Sequence, residues 1–119
     1  MSHLTFVLQP GEMTVAWLLL VSAGLLEIVW AIALKYSDGF TQLWPSVVGL
    51  VAALVSFALL TMALKSLPVG TAYAIWVGIG SLGVAITGMI ALGESTSPIR
   101  LILLALILIG VAGLKIVES

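Results

Sequence analysis

Four apolar runs, Thr14 to Leu34, Leu43 to Leu64, Val69 to Leu92 and Ile99 to Val117, take up most of the chain. A helix rises about 1.5 Å per residue and needs about 20 residues to cross a hydrocarbon core about 30 Å thick. Each run is close to that length, so each can span a bilayer once. A soluble fold is excluded by the same feature. Hydrophobic residues fill 62% of the 119 positions and charged residues only 8%, against roughly a quarter charged in a soluble domain. A chain this short leaves much of itself facing solvent, and here that solvent must be lipid. The expected fold class is an all-α integral membrane protein of four short transmembrane helices.

The connections carry turn chemistry: Lys35-Tyr36-Ser37-Asp38-Gly39, Lys65-Ser66-Leu67-Pro68, and Gly93-Glu94-Ser95-Thr96-Ser97-Pro98. Pro45, Pro68 and Pro98 lie near helix starts, where a missing N–H costs little. These loops are too short to fold separately, so residues 13–119 are expected to form a single transmembrane domain. Residues 1–12 (MSHLTFVLQPGE) lack the basic start and long apolar run of a secretory signal. They are expected to be a disordered extension, with Met13 a candidate start.

Four Lys or Arg against five Asp or Glu give a net charge of −1, which suggests no nucleic-acid partner. The absence of cysteine excludes disulfides and thiolate metal sites, and His3 is the only histidine. No metal and no cofactor are expected.

With an even number of spans, Lys65 and Lys115 fall on one side of the membrane and Lys35 and Arg100 on the other. Lys/Arg imbalance orients membrane proteins, and here the count is tied. The chain could therefore insert both ways, and two opposed copies could pair as an antiparallel dual-topology dimer. The competing expectation is that Glu12 or the terminus fixes one orientation.

Glu27 is the 14th residue of a 21-residue run, within about one turn of the bilayer midplane. The other acids, Glu12, Asp38, Glu94 and Glu118, lie in loops or tails. A charge at a helix centre costs about 2.5 to 3.5 kcal/mol on insertion scales, and such groups usually mark an ion or proton path. The blander alternative is a carboxyl locked in a helix contact. No basic residue lies within the spans to neutralise it, so it could hold a proton or a cation in turn. Ala23, Gly24, Trp30 and Ala31 share its face at i±3 and i±4. Gly24 and Ala31 would leave room around the carboxylate, and the Trp30 indole could donate to it. A helix-packing seam would use the same small residues.

Tyr73 and Trp76, three apart in the third run, could hold a flat cation by stacking or cation–π attraction; otherwise they belong to an interfacial belt. Gly78-Ile79-Gly80-Ser81-Leu82-Gly83 matches a dinucleotide-binding string by accident, since no strand precedes it. Gly78 and Gly80 are expected to allow a helix bend or a close helix approach. Ser56 is a candidate cavity residue, although a Ser in a span more often bonds back to its own helix. Gly110 and Gly113 form a small-residue patch expected to be a dimer contact.

Three stretches then suggest a family: Gly24-Leu25-Leu26-Glu27-Ile28-Val29-Trp30, Leu34-Lys35-Tyr36-Ser37-Asp38-Gly39-Phe40-Thr41, and Pro68-Val69-Gly70-Thr71-Ala72-Tyr73-Ala74-Ile75-Trp76. From Met13 to the end the chain resembles the small multidrug resistance transporters. Trp30 three residues after the membrane acid, with Gly-Thr-Ala-Tyr in the third helix, resembles the guanidinium exporters within that family. The quaternary ammonium exporters usually carry small or hydroxyl residues there. The resemblance implies a multi-pass protein of the inner (plasma) membrane and an antiparallel homodimer, though some relatives form paired heterodimers. It implies that Glu27 is a shared proton and substrate site, with Trp30, Ser56, Tyr73 and Trp76 around it, and that the fourth helices meet in the dimer.

Proton-coupled export of guanidinium and small substituted relatives is the expected function. Broad export of quaternary ammonium compounds is the rival of the same class, and a non-transporting assembly or chaperone-like subunit is the rival of another. An enzyme is not expected, because no nucleophile–base pair or metal set accompanies Glu27.

Overall fold

Inside hydrocarbon a backbone N–H or C=O has no water to bond, and only a helix satisfies those groups within one segment. The computed structural model describes the backbone of residues 10–118 and the side chains of residues 12–118. Four helices account for the apolar runs: α1 (Pro10–Tyr36), α2 (Leu43–Ala63), α3 (Val69–Ala91) and α4 (Pro98–Glu118). All four are long and apolar enough to cross a membrane, and no strand occurs among the described residues. Pro98 opens α4, Pro68 caps α3 and Pro45 sits in the first turn of α2, as expected of a residue with no N–H to offer.

The largest departure is at the N-terminal end. Residues 10–12, expected to be disordered, begin α1 instead. Pro10 brings a preset φ to the first helical position, and Glu12 places a negative charge in the first turn, where the helix dipole favours it. The rest of the expected extension, residues 1–9, lies outside the described residues.

The α1–α2 reversal is built around buried Ser37. Its hydroxyl donates to the Leu34 carbonyl at 2.6 Å and accepts from the Phe40 N–H at 3.2 Å. Asp38, Gly39 and Phe40 all take left-handed φ values, 49°, 70° and 68°, a costly run for the two residues with a Cβ. The Ser37 bonds hold it. At the end of α3 the Glu94 N–H reaches back to the Gly88 carbonyl at 3.1 Å, with Gly93 at φ 68° supplying the left-handed cap. Glu94 then pairs with Arg100 at 2.8 Å across the turn into α4.

Lipid tails are as apolar as leucine, so helices in a membrane associate through close packing of small residues and polar contacts rather than by hiding from water. α1 lies between α2 and α3, the α2 and α3 backbones come close at few points, and the α4 backbone approaches only α3. The core is correspondingly rich in alanine, with Ala16, Ala23, Ala63 and Ala72 buried beside Leu20, Leu60, Ile75 and Trp76. Gly24 marks one close approach of α1 to α3, where an added Cβ would lie 2.8 Å from the Ile79 side chain. α4 buries no residue. Its end is tied in by two polar contacts: the Lys115 ammonium lies 5.0 Å from the Trp17 ring centre, and Thr71 donates to the Glu118 carboxylate at 3.0 Å.

Gly24→Leu is expected to push α1 from α3 and destabilise the protein by about 1–3 kcal/mol, the usual cost of overpacking, read as a lower thermal unfolding midpoint in detergent. Gly70→Ala, at a site with nothing within 4 Å, should leave that midpoint unchanged or slightly raised.

Candidate functional site

A polar side chain inside a span either finds a partner or remains an unspent interaction. Most of the small hydroxyls here follow the first course locally: Ser46, Thr61, Ser81 and Thr87 each donate to the carbonyl four residues back, a bond that costs nothing from another helix. Ser56 is different. Fully buried on α2, its Oγ donates to the Ala23 carbonyl of α1 at 2.7 Å and accepts from the Trp76 Nε1–H of α3 at 3.0 Å. The bond back to its own helix, the commoner alternative for a serine in a span, is not made; one hydroxyl joins three helices. It fixes the Trp76 ring, which is 5% exposed.

Around that clasp the rings form a row. Trp76 meets Tyr73 at 5.5 Å between ring centres and Phe57 at 5.6 Å, the latter edge-on, and Phe57 meets Trp30 at 6.4 Å. The row therefore runs from α1 through α2 to α3, with edge-to-face and tilted geometries that aromatic quadrupoles favour. Phe57 was not among the expected site residues. The available signal was its position next to Ser56, in a helix whose only other aromatic is Trp44 near its start.

Glu27 projects from α1 towards α3, where its side chain lies against Gly80; a Cβ there would collide with the carboxylate. Its Oε1 is buried with no hydrogen-bond partner, and so is the Trp30 Nε1–H. The expected Trp30-to-Glu27 bond is thus absent, because the Trp30 ring turns towards Phe57 on α2 instead. The site holds one unused acceptor and one unused donor on the same helix, and each buried unpaired group costs about 1–3 kcal/mol. No set of three metal-capable side chains occurs among the described residues.

The remaining expected positions divide. Ala31 is half-buried one turn beyond Glu27. Gly24 does not open space beside the carboxylate, since Ile79 fills that position. α3 runs as one helix through Gly78 and Gly80, and both glycines serve close approach, Gly78 to Val111 of α4 and Gly80 to Glu27. Of the two roles weighed for them, close approach is the one seen in this conformation. Gly110 and Gly113 have nothing within 4 Å, so that patch of α4 is open.

Ser56→Ala would strand the Trp76 N–H without an acceptor. A loss of about 1–3 kcal/mol is expected, with faster solvent exchange of the Trp76 indole proton by NMR and no change at the Trp30 indole.

Comparison with known proteins follows the same residues. The family profile described as Small Multidrug Resistance protein matches residues 15–107. The guanidinium exporter of Escherichia coli (strain K12) is 60% identical over 101 residues, which cover 85% of this chain and 96% of that protein. The guanidinium exporters of Citrobacter freundii and Salmonella typhimurium are 57% identical over the same coverage. With four membrane-spanning helices and a match over most of its length, the chain belongs to the small multidrug resistance family, multi-pass inner-membrane transporters of small organic cations rather than enzymes.

Proposed function

We propose that the protein exports guanidinium and small substituted guanidinium ions in exchange for protons, working as an antiparallel homodimer. The observation that carries this reading is the Glu27 carboxyl, deep in a span with an oxygen that has no partner. An acid kept unpaired in lipid is costly, and the cost is recovered when a cation or a proton occupies it. The two occupants exclude each other, so release of protons on one side makes room for substrate and release of substrate makes room for protons.

Guanidinium suits the surroundings. It is planar, permanently charged and carries N–H donors that meet a carboxylate in a two-pronged way. The rings of Trp30, Phe57, Trp76 and Tyr73 offer faces to a flat cation, and Ser56 holds Trp76 in register. A tetraalkylammonium has no N–H to offer the Glu27 carboxylate. That the relatives at 57–60% identity are named guanidinium exporters supports the same substrate.

The tie between Lys65 with Lys115 on one side and Lys35 with Arg100 on the other supports insertion in both directions, and the open Gly110 and Gly113 patch on α4 offers a surface for pairing. In such a dimer Gly78 and Gly80 would also let α3 bend as the cavity changes sides. Residues 13–119 would then act as the transporting unit, with the preceding residues outside it.

In proteoliposomes, an outward guanidinium gradient should drive proton movement with the wild-type protein. Glu27→Gln keeps the shape and removes the charge, so coupled flux should fall by about a hundredfold or more, the loss of one desolvated charge-assisted pair. Transport of tetraalkylammonium but not guanidinium would point to the multidrug reading, and unaltered uptake by Glu27→Gln to a non-transporting subunit.

A further inference from the structure

Two cavities lie along the α1–α2 seam, on a stripe offset from that of Glu27. The first, of about 330 Å³, is lined by the polar residues Glu12, Lys65 and Ser66 together with Val15, Leu19 and Met62. The second, of about 390 Å³, has an entirely apolar lining that includes Leu26, Val51 and Val55. Glu12, Val15, Leu19 and Leu26 recur at three, four and seven residues on α1, and Val51, Val55 and Met62 at four and seven on α2, so both cavities lie on one side of the α1–α2 groove.

We infer that this groove is a binding site for a phospholipid with a primary ammonium headgroup, phosphatidylethanolamine. The charge arrangement favours it. Glu12 and Lys65 border the same cavity without pairing to each other; the one ion pair found among the described residues joins Arg100 to Glu94. A phosphate would accept from the Lys65 ammonium and the Ser66 hydroxyl, while the neighbouring ammonium would donate to the Glu12 carboxylate. A choline headgroup has no N–H for Glu12, and a glycerol headgroup brings no cation to it.

The depth also fits. α1 has 27 residues, about 40 Å at 1.5 Å per residue, longer than a hydrocarbon core of about 30 Å. Its first turn therefore reaches the headgroup layer. Leu26 lies 14 residues further on, about 21 Å along the helix, which matches one leaflet of a bilayer 40–45 Å thick with its headgroups, roughly half of that span. A chain entering beside Val15 and Leu19 would end at the apolar second cavity.

The test is native mass spectrometry of the purified full chain titrated with phosphatidylethanolamine, phosphatidylcholine and phosphatidylglycerol of the same acyl composition. The first should bind about fivefold or more tightly than either of the others, the scale of one exposed charge pair. Glu12→Gln should abolish that preference, and Lys65→Gln should weaken binding of all three lipids through their shared phosphate; both positions are exposed, so neither variant should lower the thermal midpoint. Leu19→Trp, which fills the groove, should reduce binding of all three lipids. Equal binding of the three by wild type, an unchanged preference in Glu12→Gln, or lipid-independent cross-linking of two copies through Leu19→Cys would each overturn the assignment.

Discussion

Hydrocarbon supplies no hydrogen bonds, and the layout of this protein depends on how its few polar groups respond to that. The backbone answers by forming four helices. Ser46, Thr61, Ser81 and Thr87 answer by bonding to their own helices. Ser56 alone among the hydroxyls of α2 spends both its donor and its acceptor on other helices, joining the Ala23 carbonyl to the Trp76 indole. Two buried atoms, Glu27 Oε1 and Trp30 Nε1, have no answer among the described residues. In a medium that penalises unpaired groups, that residue of unmet bonding is where binding free energy is available.

Holding those groups in place falls to small residues. α1 is the centre of the bundle, and it can lie close to both neighbours because Gly24, Ala16 and Ala23 on its own surface and Gly80 on α3 present little bulk. The absence of a side chain at Gly80 is what gives the Glu27 carboxyl its location. The bulky residues face outward to lipid, most completely on α4, which leans on α3 and leaves its own glycines open. A helix so placed contributes little to the site and has surface to spare for another copy of the chain.

Much of this was legible in the sequence. Run lengths and proline positions located all four helices, because a span must be long, apolar and continuous whatever it packs against. The depth of Glu27 followed from counting. Partners across helices were not legible, since they depend on the rotation of each helix. Thus Trp30, correctly placed one turn from Glu27, turns towards Phe57; Ser56 bonds forward rather than back; and Ile79 occupies the space that Gly24 was expected to leave. Phe57 was not legible either, because it stands far along α2 from the helix's other aromatic, Trp44, and no periodicity marks it. The early start of α1 was missed because Pro10-Gly11 reads as a break, although a proline is equally suited to begin a helix.

The central claim is that proton and cation compete for one carboxyl. It is tested most directly by calorimetry of guanidinium binding to the purified protein in buffers of different ionisation enthalpy, near neutral pH. The account predicts that binding releases protons from the wild-type protein, so that the apparent heat changes with the buffer, and that Glu27→Gln shows neither the release nor measurable binding. Guanidinium binding with a heat independent of buffer, or retained in Glu27→Gln, would contradict it.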